Sequence, residues 1–179
     1  MRKKNVPSTP KEWFDYALFY CSKRETSRPR LQAYLQRKLK TFSKTFNLGE
    51  EAEQKALLDI EHALTECERL KVIDHERFAG MLVREYARRG KGKRYVDQKL
   101  REKGLKEEII KVEIDPEAEF ERALALAEKT LGRTNIRKIE DSFKMKTKVL
   151  QKLMSSGFDL SLAKKAIDQA WKNSDRSEK

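Results

Sequence analysis

Cysteine and histidine are nearly absent from this chain. Its 179 residues hold 2 of each, Cys21 with Cys67 and His62 with His75. Two cysteines in helical patterns cannot build the dense framework of a small secreted disulfide scaffold. Nor do the four residues fall at metal-ligand spacing, so no zinc site is expected. No apolar run is long enough to span a bilayer, and the basic opening Met1-Arg2-Lys3-Lys4 leads into no apolar signal segment. A membrane is therefore not an expected partner, and the cytoplasm is the expected compartment. No stretch alternates with period 2 between turn signals, so no sheet is predicted. No nucleophile stands beside a base in any readable motif. The chain is not expected to be an enzyme, and no cofactor is called for.

Charge is what the chain has in excess. Asp, Glu, Lys and Arg make up 39% of it, with 41 Lys and Arg against 29 Asp and Glu, a net charge of +12 and a pI near 9.7. An ordinary globular protein carries about 25% charged residues. So much charge leaves too little apolar surface for one large spherical core. It fits an all-α, elongated array of small helical bundles. The sign of the charge favours a polyanion as partner, because cations that neutralise phosphates release condensed counterions. The plainer alternative is a highly charged, inert surface.

Along the chain, residues 1–10 read as a flexible basic tail. A helical pattern starts near Lys11, with Trp13, Phe14, Ala17, Leu18 and Cys21 on its buried face. Ser27 caps a second helix with Pro29 in its first turn, and Leu31, Leu35 and Leu39 give its apolar stripe. Thr41 to Gly49 reads as a loop, and a long helix follows from Glu50 to about Lys71. Beyond the central stretch, residues 106–114 are expected to form a short helix. Asp115 caps the next, with Pro116 at its first position. After a break at 132–140 comes a helix ending at Ser156-Gly157-Phe158. Ser161 is read as the cap of the last helix, and residues 172–179 as a polar tail.

Glycine-ended helices overlay. Val96, Leu100, Gly104 and Ile109 line up with Val149, Leu153, Gly157 and Leu162, and Ile114 with Ile167. The helix Leu31-Leu35-Leu39 corresponds, without the glycine. Three modules result, at 11–73, 74–114 and 115–171, each predicted to be three helices. Basic stretches alternate with acidic ones, so stacked modules could align like-signed patches along one edge.

The stretch from Asp74 to Gly104 organises the rest. Asp74 is a good N-cap. Phe78, Leu82 and Tyr86 recur at i, i+4, i+8 and share one face. Gly90 and Gly92 are read as residues that take positive φ and reverse the backbone, and Gly104 closes the following helix. From Arg84 to Lys106 there are 10 Lys or Arg against 3 acids. The candidate binding residues are Arg77, Arg84, Arg88, Arg89, Lys91, Lys93 and Arg94. Arg can fork onto phosphate or carboxylate, while Lys acts as a point charge. Two readings stand for this turn: a polyanion contact, or a solvated connection whose glycines serve only the backbone. Arg77 has a structural reading too, a pair with Asp74 three residues earlier. Lys144, Lys148 and Lys152, at i, i+4, i+8, form a second basic set. They too can be an ordinary solvated face. Gly90-Lys91-Gly92-Lys93 is not a phosphate-binding P-loop, since it joins two helices and lacks the spaced glycine.

The motif Val72-Ile73-Asp74-His75-Glu76-Arg77-Phe78-Ala79, then Arg84, then Arg88-Arg89-Gly90-Lys91-Gly92-Lys93-Arg94, then Leu100-Arg101-Glu102-Lys103-Gly104-Leu105, resembles the RecX family of bacterial recombination regulators. That family's pattern is a leucine-aspartate-aspartate-x-arginine-phenylalanine-alanine opening, a glycine-lysine-glycine turn and a leucine-x-x-lysine-glycine close. His75 stands where the second acid usually does. Ser27-Arg28 with Leu31 and Leu35 resembles the family's first-repeat helix, and Phe143 through Leu153 to Gly157-Phe158 its last signature. The resemblance covers about residues 11–171. It implies tandem three-helix repeats. It also implies binding to the RecA recombinase filament on DNA, in the filament groove, with inhibition of its ATP hydrolysis, strand exchange and coprotease activities. It further implies direct binding to single- and double-stranded DNA, and no enzymatic activity or cofactor. The chain is expected to act as a monomer. The competing expectation is a stand-alone basic helical DNA-binding protein with no recombinase specificity.

Overall fold

The structure, a computed structural model, describes residues 6–105, 114–132 and 139–177, with the side chains of 139–141 and 175–177 left aside. Among the described residues every regular element is a helix: α1 Pro10–Cys21, α2 Arg28–Phe46, α3 Glu50–Arg69, α4 His75–Arg88, α5 Lys93–Glu102, α6 Pro116–Leu131, α7 Ile139–Ser155 and α8 Leu160–Ser177. The all-α expectation is met. The short helix expected at 106–114 falls almost wholly outside the described residues. No described helix is long and apolar enough to cross a membrane.

The chain divides into two compact units, Met1–Phe78 with Lys103–Ile109, and Ala79–Glu102 with Ile110–Lys179. In the first, α3 packs on both α1 and α2. The stripe Leu31, Leu35, Leu39 and Phe42 meets Ile60, Ala63, Leu64 and Cys67, with Trp13 and Ala17 of α1 filling the third side. Trp13 and Phe42 touch edge to face, with ring centroids 6.3 Å apart. In the second, α6, α7 and α8 pack pairwise around Ala123, Ala127, Val149, Leu153, Phe158, Ala163 and Ala166. Each helix buries one narrow stripe, because helices this charged cannot persist alone in water.

Several local expectations need correction. Residues 6–9 are docked, not a free tail: Val6 packs on the core, and the Lys55 ammonium donates to the Ser8 carbonyl at 2.7 Å. The α1 cap is Thr9, whose hydroxyl accepts from the Glu12 amide, while the Glu12 carboxylate accepts from the Ser8 amide at 2.6 Å. The stretch read as a loop from Thr41 is helical to Phe46, ending at Asn47 in the left-handed region (φ 52°). Phe42 continues the buried stripe, and Thr41 and Thr45 turn their hydroxyls back onto the carbonyls of Arg37 and Thr41. Asp159, not Ser161, caps α8: its carboxylate accepts from the Ser161 amide at 2.9 Å. The last helix also runs on to Ser177, through most of the stretch read as a polar tail.

The overlaid positions behave alike. Val96 and Leu100 are buried, as are Val149 and Leu153, and Gly104 (φ 77°) and Gly157 (φ 88°) share the left-handed conformation. At each glycine the start of another helix docks. The Ser27 hydroxyl donates to the Lys103 carbonyl, and a Cβ on Gly104 would lie 2.6 Å from Pro29. Within the second unit, the Gly92 amide donates to the Ser156 carbonyl at 3.0 Å, and a Cβ on Gly157 would lie 2.4 Å from the Tyr95 amide nitrogen. Ser27 precedes Leu31 by the same count as Gly92 precedes Val96, so the same joint occurs twice in the sequence register.

Candidate nucleoprotein interface

The basic turn is built by α4 and α5. Asp74 starts α4 by accepting from the Arg77 amide at 2.9 Å. Phe78, Leu82 and Tyr86 face inward, as their spacing predicts, which leaves Arg84 and Arg88 exposed and four residues apart. The helix ends in a double hydrogen bond: the Gly90 amide donates to the Ala87 carbonyl at 2.9 Å and the Lys91 amide to the Tyr86 carbonyl at 3.0 Å. This is the Schellman closure, and it requires Gly90 at φ 68°.

Gly92 does not have the positive φ expected of it. It is glycine for lack of room: a Cβ there would sit 2.5 Å from the Gly157 carbonyl oxygen. Three backbone donors then anchor the turn, the Gly92 amide on Ser156, the Arg94 amide on the Gly157 carbonyl at 3.0 Å, and the Lys93 amide on the buried Glu119 carboxylate at 2.6 Å. By that bond Glu119 satisfies a first-turn N–H of α5, which has no partner inside its own helix.

On this fixed backbone the cations divide into two kinds. Arg89 pairs with Glu85, and Lys93 with Asp97 at 3.1 Å. Arg84, Arg88, Lys91 and Arg94 make no ion pair with any described residue. The Arg88 Nε reaches the Arg84 carbonyl at 3.4 Å, which lays that side chain along the helix. Lys91 sits 4.7 Å over the ring of Tyr95, with Lys99 5.6 Å from the same ring and Tyr86 edge-on to it. Arg94 and Tyr95 line an open groove of about 600 Å³ with Gln98, Arg101, Ser155 and Gly157. Hydrogen bonds from the Ser161 amide and hydroxyl hold the Asp159 carboxyl below the usual carboxylate range, and the Arg94 guanidinium adds to this.

Arg77 is placed differently. Within the first unit its guanidinium forks onto Glu25, with Nε to Oε1 at 2.8 Å and Nη2 to Oε2 at 3.1 Å. The structural partner suspected for it was Asp74, but Asp74 takes the Arg77 backbone amide instead. Lys144, Lys148 and Lys152 are exposed along α7. They span about 12 Å at 1.5 Å per residue. Lys152 lies one turn before Ser156, which receives the Gly92 amide. Sequence reasoning missed Glu119 and the carbonyls of Ser156 and Gly157 as the turn's supports. No local pattern could have revealed them, since they lie 26 residues away in one case and in a different helix pair in the others.

Two compact all-helical units, glycine-ended helices and a backbone-anchored basic turn define a class: helical proteins without strands among their described residues. Comparison with known proteins narrows the class. Residues 74–111 match the family model of RecX, second three-helix domain. The crystal structure of RecX from Lactobacillus salivarius superposes with a TM-score of 0.70 at 19% identity, covering 90% of this chain and 96% of that one. A crystal structure of regulatory protein RecX gives 0.67 at 23% identity, covering 89% and 71%. No curated protein matches the chain by sequence. The RecX resemblance read from the sequence is thereby borne out: residues 74–111 match a RecX domain model, and the fold is similar to that of RecX crystal structures.

Proposed function

We propose that this chain is a negative modulator of the RecA recombinase. It binds the RecA–DNA filament in its groove and lowers its ATP hydrolysis, strand exchange and coprotease activities. The family resemblance supports RecA as the partner. The observation that carries the contact is the basic turn, where Arg84, Arg88 and Lys91 are held on a backbone fixed by Glu119, Ser156 and Gly157 and make no ion pair with any described residue, with Arg94 beside them acting on the Asp159 carboxylate. Cations already paired inside the protein gain little from a new anion, because a bond must first be given up. Unpaired ones gain the whole charge-assisted contact. Lys144, Lys148 and Lys152 extend the positive surface along α7. Arg77 contributes less than its exposure implies, because Glu25 already occupies its fork.

The test is a pull-down of RecA by the chain, with and without DNA. Capture that strengthens when single-stranded DNA and a nucleotide assemble the filament is the expected result. Capture of DNA with no capture of RecA, whether or not the filament is assembled, would replace this reading with that of a stand-alone DNA-binding protein.

A further inference from the structure

The first unit carries a second cationic surface, on α1 and α2, separate from the turn at Arg88–Arg94. Helix α2 contains Arg28, Arg30, Arg37, Lys38, Lys40 and Lys44 and no acidic residue. Tyr20, Arg30, Ala33, Gln36, Arg37 and Lys40 line an open groove of about 380 Å³, so three cations and no carboxylate face it. Arg30 and Lys40 make no ion pair with any described residue. The Arg37 Nε only touches the Ala33 carbonyl, at 3.3 Å.

The groove's aromatic wall is Tyr20, and Tyr34 stands behind it. Tyr20 and Tyr34 stack with centroids 4.3 Å apart at 33°. The Arg24 guanidinium lies 5.1 Å over Tyr20, and Lys38 5.7 Å over Tyr34. Burial pushes the Tyr34 phenol up, and the neighbouring Tyr16 and Tyr20 add to this. Arg28, by contrast, is held by Glu61 and Glu68 and takes no part.

We infer that the α1–α2 groove is a single-stranded nucleic-acid site. Arg30, Arg37 and Lys40 take successive phosphates, and the exposed Arg24 guanidinium, held over the Tyr20 ring, offers a flat surface to a base. A cationic groove with aromatic or guanidinium planes alongside is how single strands are held without sequence preference. A duplex keeps its bases stacked inside and can use only the cations. An acidic protein segment would likewise use the cations and have no use for the planes. This site does not depend on the reading of the chain as a RecA modulator, and its test contains no RecA.

The experiment measures fluorescence anisotropy of labelled oligo(dT), and of a labelled duplex, with the full chain over a range of salt. For the single strand, replacing Arg30, Arg37 and Lys40 together by Ala should flatten the log–log salt slope by about 2, at roughly 0.7 per phosphate contact. These side chains are surface groups of α2, and circular dichroism checks that the helix content is kept. Tyr20→Leu should weaken oligo(dT) binding about tenfold and leave duplex binding unchanged, while Tyr20→Phe should bind like the parent. An unchanged slope in the triple variant would overturn the proposal. So would equal losses for duplex and single strand in Tyr20→Leu. Displacement of labelled oligo(dT) by poly-glutamate as effectively as by unlabelled oligo(dT), charge for charge, would overturn it in favour of an acidic protein partner. If Tyr20→Leu lowers the melting temperature, the slope of the triple variant still decides.

Discussion

At the first joint of the molecule, Ser27 and Pro29 lead into α2 and meet the Lys103-Gly104 step. At the second, Gly92 leads into α5 and meets Ser156-Gly157. The register is shared, but the chemistry differs. Ser27 bonds through its side chain, and Arg28 beside it is bound by Glu61 and Glu68. Gly92 bonds through its backbone, has no side chain to bond with, and is followed by Lys93, which has a carboxylate on its own helix. Around it Arg84, Arg88 and Lys91 make no ion pair with any described residue, and Arg94 acts on the Asp159 carboxylate. Arginines that look alike in the sequence thus have different surroundings in the fold. One joint uses its charge to hold the fold, and the other holds its backbone by amides.

The comparison can be broken most forcefully at the glycines. Gly157→Ala places a Cβ 2.4 Å from the Tyr95 backbone nitrogen and forces alanine to φ 88°, so a loss of about 3 kcal/mol is expected by denaturant titration. Gly104→Ala meets the Pro29 ring, a side chain with some freedom to shift, and should lose about half as much. Equal losses would mean that the two joints are not the distinct constructions described here.

The next contrast is between binding and stability. Replacing Arg88 and Lys91 together by Glu should weaken DNA binding by about tenfold or more, measured by mobility shift at low salt, and leave the melting temperature within about 2 °C. Arg28→Ala should do the reverse, lowering stability by about 1 kcal/mol with little effect on binding, since it frees two carboxylates from a shared guanidinium. The smallest effect concerns the two thiols. Burial pushes Cys21 up to about 11 and Cys67 up to about 12. A thiol raised in the folded state stabilises below its ordinary value and loses that contribution as pH climbs through the folded value. Stability should therefore decline from about pH 9 upward, and Cys67→Ala should flatten that alkaline limb in pH-dependent melting.

Much of this architecture was readable from the chain. The stripes at Leu31-Leu35-Leu39, Phe78-Leu82-Tyr86 and Val96-Leu100 are buried as their spacing requires. Asp115 with Pro116 starts α6 where the pair predicts it. Gly104 and Gly157 end helices in the left-handed region. The errors came where a local rule met a tertiary demand. Thr41 and Thr45 look like loop residues, yet Phe42 must reach the core and carries the helix through them. Gly92 looks like a turn glycine, yet what it accommodates is the backbone of Gly157. Arg77 looks like a member of the basic set, yet Glu25, 52 residues away, holds it. The candidate turn was legible as a concentration of charge. Which of its cations are unpaired was not, because pairing depends on distant carboxylates.

The account turns on whether the unpaired cations of the second joint meet a nucleoprotein filament. The direct measurement is DNA-dependent ATP hydrolysis by RecA with the chain added, beside the Arg88→Glu, Lys91→Glu double variant. Inhibition by the parent chain at or below equal stoichiometry, lost in the variant, is the predicted result. No inhibition by the parent, or equal inhibition by both proteins, would contradict it.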